Sequence, residues 1–148
     1  MLRSHTYVIK ELAAHSFDGD IFFGHWTFKP PLPFEKLSKE DQKQCLWITK
    51  NLHGISWEEG KMSYDNFRHI MCFLFKMYPK IYIKGSEKTK FIEILSNRTC
   101  YNLEKLGCPK ITEFPEKNVI CSHGHFRKHC ALAKVLSFKD YLKVISSK

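Results

Sequence analysis

The stretch Cys121-Ser-His-Gly-His-Phe-Arg-Lys-His-Cys130 places two cysteines and three histidines within ten residues, and the apolar run Ala131-Leu-Ala-Lys-Val135 follows without a break. Thiolates and imidazoles are the ligands Zn²⁺ prefers, and a loop leading into a helix brings such side chains around one ion. A tetrahedral cross-link of this kind replaces local core, so the segment constrains the fold as strongly as an apolar stripe would. Cys121, Cys130 and one of His123 and His125 are the expected ligands. The competing reading is a buried thiol pair with solvated histidines. Chemistry favours Cys108 as the fourth ligand, because a Cys₃His set satisfies zinc without burying a free carboxylate.

At 148 residues the chain is long enough for a core of its own and reads as one domain, 1–148. No apolar run reaches membrane-spanning length; the longest candidate, Ile70 to Met77, reads as a buried helix. The first residues, Met1 to Thr6, lack the apolar stretch of a signal peptide, which points to cytoplasm or nucleus. Six cysteines then read as thiols or metal ligands rather than disulfides. A formal charge of +9 with 12 Phe, 6 Tyr and 3 Trp favours a nucleic acid as partner.

Tyr7 to His15 and Ile21 to Phe28 read as strands, and the intervening Phe17-Asp-Gly-Asp20 as the turn of a hairpin. The prolines at 30, 31 and 33 keep their segment extended. Ser38 caps a helix that carries Leu46, Trp47, Ile48 and Leu52. Asn51 to Trp57 is a loop. Phe67, Ile70, Met71, Leu74 and Phe75 recur at helical spacing over Tyr64 to Lys76, and Pro79 stops that helix. Lys80 to Lys84 and Thr99 to Leu103 are short strands around a helix from Glu87 to Ser96; a last helix runs from Cys130 to Ile145. Cys45, Cys72 and Cys100 fall within apolar patterns and read as core. Strands first, then helix and strand in alternation, describe a mixed α/β chain.

Taken in order, Glu11-Leu-Ala-Ala14, Asp18-Gly-Asp20, Trp26-Thr-Phe-Lys-Pro30, His53-Gly-Ile-Ser56, Ile81 to Lys88 and His129-Cys-Ala-Leu-Ala-Lys134 resemble the motif series of DEDDh exonucleases. The resemblance runs from Tyr7 to Leu142 and implies a ribonuclease H-like mixed sheet flanked by helices. It also implies a catalytic base at His129, and an enzyme of this kind would use an unconventional site around His129 and Glu11. Two-metal nucleases need four carboxylates. Here Lys88 and Lys134 stand where two of them belong, and an ammonium repels the ions that site must bind. The acid-bearing first strand of the family is missing or replaced as well. Either the sheet re-pairs without it, or a homodimer or other strand-completing partner fills the gap, or a longer gene product supplies it.

A closer resemblance is to the Maelstrom domain of the germline small-RNA pathway and to its virus- and transposon-encoded relatives, whose pattern Asn102-Leu-Glu-Lys-Leu-Gly-Cys108-Pro also follows. That domain looks like a DEDDh fold whose carboxylates have given way to a Glu-Cys-His-Cys zinc site. Its ligands fall here on Glu11, Cys121, one of His123 and His125, and Cys130. The resemblance therefore favours Glu11 where chemistry favours Cys108. Expected of the whole chain is a catalytically degenerate, zinc-stabilised module that binds RNA or single-stranded nucleic acid. Lys84, Lys88, Lys90, Arg127, Lys128 and Lys134 would contact phosphates, and Tyr82, Phe126 or Trp57 would stack on bases. An active ribonuclease or 3′–5′ exonuclease and a zinc-stapled protein scaffold are the alternatives.

Overall fold

Glu11–His15 (β1) and Phe23–Thr27 (β2) pair antiparallel, with Glu11 opposite Thr27, Ala13 opposite His25 and His15 opposite Phe23. This is the hairpin that the Phe17-Asp-Gly turn signal predicts. Gly24 is required there: a Cβ at that position would come within 2.1 Å of the Trp26 ring, which lies over it. Phe28, fully buried, extends β2 into a bridge with Met62. Gly60 lets the returning chain run against the Phe28 backbone, where a Cβ would collide at 2.1 Å.

The computed structural model describes residues 7–18, 21–117 and 130–147. Their contacts divide the chain into two compact units. The first takes Met1–Tyr64 with Lys110–Lys148, and the second takes Asp65–Pro109.

In the first unit, helix α1 (Lys39–Ile48) starts at Ser38, whose hydroxyl accepts the Asp41 N–H at 3.1 Å. A π-helical turn, Thr49–His53, extends it into what the sequence presents as loop, and Gly54 ends it at φ +70°. Leu46 and Trp47 are exposed. The last helix of the chain, Ala131–Ser146, packs against β1 and buries the small side chains of Ala133 and Ser137, which let it lie close. Phe114 meets that helix edge-on through Phe138 and Tyr141. The ion pair of Lys117 and Asp140 ties the same connection to it.

In the second unit, helix α2 (Asp65–Met77) buries Phe67, Met71, Leu74 and Phe75, the stripe that its spacing predicts. Cys72 falls one residue past Met71, off that stripe, and is exposed rather than core. Two-residue strands β3 (Tyr82–Ile83) and β4 (Tyr101–Asn102) pair in parallel around α3 (Ser86–Ser96). We number the final helix, Ala131–Ser146, α4. The protein is thus mixed α/β. Its described strands form two two-stranded ladders rather than one mixed sheet.

Candidate metal and nucleic-acid sites

Alternation along the hairpin puts Glu11, Ala13 and His15 of β1 on one face, with His25 and Thr27 of β2 beside them. Helix α4 packs on this strand, and Glu11 is where the two elements lock. Its side chain is 6% exposed, and both oxygens are engaged. Oε1 accepts the Ala131 N–H at 2.7 Å, at the start of α4. Oε2 lies 2.7 Å from His25 Nε2 and 3.6 Å from Cys130 Sγ. A carboxylate at a helix N-terminus answers the unsatisfied amides and the positive end of the helix dipole. Cys130 is itself buried, at the N-cap position, and its carbonyl starts the helix by accepting the Lys134 N–H at 3.0 Å.

Glu11 and Cys130, ligands implied by the resemblance to the Maelstrom domain, are therefore in contact. A carboxylate oxygen and a thiol are both zinc donors, so this pair fits half of a tetrahedral set. Cys121, His123 and His125 lie outside the described residues, as do His129, Arg127, Lys128 and Phe126. Among the described residues no group of three or more His, Cys, Asp or Glu side chains is placed to hold a metal ion.

Cys108 belongs to the second unit, buried after the 3₁₀ turn Leu103–Leu106, with its amide bonded to the Leu103 carbonyl at 3.1 Å. Burial pushes its thiol up; the nearby Lys84 opposes that and Glu104 adds to it. A thiol held protonated is a poorer ligand than a thiolate.

His25 was not singled out by its sequence context, although the hairpin register contains the signal. With Glu11 opposite Thr27, the diagonal neighbour of Glu11 on the same face is residue 25.

Of the expected phosphate contacts, Lys88 and Lys90 are exposed on α3. Lys84 is half-buried and gives its ammonium to the Pro109 carbonyl, so it acts as a tether. Lys134 is half-buried on α4. Trp57 cannot stack on a base: it is 8% exposed, and its indole N–H donates to the Leu32 carbonyl at 2.8 Å. Its ring instead packs near the Lys10 ammonium, 5.9 Å from the centroid. Tyr82 remains available on β3, half-buried beside Tyr101. Among the described residues no helix is long and apolar enough to cross a membrane.

No protein-family model matches the chain, and no curated protein or solved structure matches it.

Proposed function

We propose that this chain is a catalytically degenerate, ribonuclease H-like module, stapled by zinc, that holds RNA or single-stranded nucleic acid without cutting it. One observation carries the reading. Glu11 and Cys130, 119 residues apart in the chain, come within 3.6 Å at the start of α4, as a Glu-Cys-His-Cys site of the Maelstrom type requires. Cys121 with His123 or His125 would complete that set. When bound, zinc would supply a rigid cross-link between the hairpin, the ligand-rich segment and α4.

The charge of +9 supports a polyanionic partner. The lysines at 88 and 134, in place of acids, speak against a two-metal hydrolytic site. Binding through Lys88, Lys90 and their neighbours would be largely independent of sequence and steeply dependent on salt.

Two measurements test the reading together. Elemental analysis of the purified protein is expected to give about one zinc per chain. Fluorescence anisotropy with single-stranded RNA is expected to show binding that weakens steeply between low and moderate salt, and the Lys88→Glu/Lys90→Glu double variant is expected to bind more weakly with a flatter salt slope. Loss of 3′ nucleotides in Mg²⁺ or Mn²⁺, stopped by EDTA, would replace this reading with an active nuclease. The absence of any complex at low salt would leave the protein-scaffold alternative.

A further inference from the structure

Tyr82 and Tyr101 stand opposite each other across the β3–β4 ladder, their ring centroids 5.3 Å apart and their planes inclined by 34°. Ladder residues alternate between faces, so this pair projects to one side while Ile83 and Asn102 project to the other. Asn102 is buried, and its side-chain oxygen accepts the N–H groups of Gly85 at 3.1 Å and Glu104 at 3.0 Å. The tyrosine side is the outward one, and Tyr101 is 42% exposed there. Lys80, also exposed, holds its Nζ 5.5 Å from the centroid of the Tyr101 ring. A cation over an exposed ring is only weakly held, so that ammonium can leave the ring for a stronger acceptor.

Surface aromatics are often mere remnants of local packing. Two further features separate this pair from that reading. The ladder sets Tyr82 directly beside Tyr101, which holds the outer ring in a defined plane. The unit around it, Asp65–Pro109, carries eight Lys and Arg against four Asp and Glu. A flat π-face with a mobile cation at it, on a basic unit, suits a ligand that alternates rings with anions.

We infer that Tyr101, backed by Tyr82, is a stacking platform for an unpaired base of a single-stranded nucleic acid, with Lys80 turning to the flanking phosphate. This rests on the nucleic-acid reading above and names a contact point for it. An unpaired base is required because a duplex keeps its base faces stacked inside. Stacking tolerates any base, since each has a π-face, so the platform adds affinity without sequence choice. An apolar peptide could use the rings but would leave the ammonium without a role.

The test is anisotropy with a short fluorescein-labelled oligouridylate, titrated at several salt concentrations, on variants whose melting temperatures match wild type. Tyr101→Ala is expected to weaken binding on the order of tenfold with an unchanged salt slope, because stacking releases no counterions. Tyr101→Phe is expected to bind as wild type. Lys80→Ala is expected to flatten the salt slope by about 0.7, the value for one phosphate on a single strand.

Wild-type affinity in Tyr101→Ala would overturn the platform and leave the nucleic-acid reading standing. Equal loss in Tyr101→Phe would overturn it too, since the hydroxyl and not the ring face would then make the contact. Duplex binding as tight as single-strand binding would likewise remove it. No complex with the wild-type chain would end both proposals.

Discussion

Glu11 and Ala131 are separated by 120 residues and joined by one hydrogen bond, the Ala131 N–H to Glu11 Oε1 at 2.7 Å. That bond caps α4 from the hairpin, so the helix that closes the described chain is started by a side chain of the first described strand. The second oxygen of the same carboxylate faces His25 and Cys130. Three elements thus depend on one nearly buried acid.

Replacing that acid exposes the dependence. A buried donor deprived of a charged acceptor costs about 1.5–3 kcal/mol. Glu11→Gln removes the charge and keeps the size, so urea unfolding should show a loss within that range. Glu11→Ala, which leaves the Ala131 amide unanswered, should lose more. Unchanged stability in both variants would show that the carboxylate cap contributes nothing.

Metal removal separates the cap from the proposed zinc site. In wild type, chelation with EDTA should lower the melting temperature, on the order of 10 °C if several kcal/mol of metal binding are lost. Cys130→Ser should start lower and respond little to EDTA. The Glu11→Gln loss measured in EDTA then reports the cap and the His25 and Cys130 contacts without the metal. A wild-type melting curve indifferent to EDTA, together with zinc-free protein, would leave Glu11 a structural residue only.

Much of the local structure is legible in the residues themselves. The Phe17-Asp-Gly turn announces the hairpin, Ser38 announces α1, and the stripe from Phe67 to Phe75 announces α2. Each of these depends on neighbours within a few positions. The junction at Glu11 is different, because its partners at 130 and 131 come from the far end of the chain and no periodicity links them. Only a resemblance pointed to Glu11, and nothing pointed to His25 until the hairpin register was known. Trp57 failed in the opposite direction. A loop tryptophan beside Ser56 and Glu58 looks exposed, yet its N–H finds a carbonyl at Leu32 and its ring a lysine at position 10. Single-residue context does not reveal such pairings across a fold.

Cys100 supplies a pH-dependent term on the alkaline side. Burial, reinforced by Glu93, pushes its thiol up from 9.0 to about 11. Between those values the unfolded chain has lost the proton and the folded chain retains it. Raising the pH therefore favours the unfolded state, and the stabilisation present below pH 9 is lost on the way to 11. Cys100→Ala should remove this falling limb. Urea midpoints for wild type and variant, compared at pH 8 and pH 10.5, should differ more at the lower pH, after allowance for the constant packing loss.

Lys10 acts with the opposite sign. It is 8% exposed, and its ammonium donates to the carbonyls of Phe28 at 2.6 Å and Trp57 at 2.7 Å, and to that of Glu59. Burial pulls its pKa from 10.5 down to about 8, against the pull of Glu58 and Glu59. Between pH 8 and 10.5 the folded chain has given up a proton that the unfolded chain still holds. Stability should therefore rise with pH across this window. Lys10→Met lacks the term, and it also takes one donor from each of three carbonyls, so it should be less stable than wild type at every pH. The gap between wild type and Lys10→Met, measured by urea unfolding at pH 7, 8, 9 and 10, is expected to widen upward from pH 8. A gap that stays flat to pH 10 would mean that the three carbonyls outweigh burial and hold the ammonium charged.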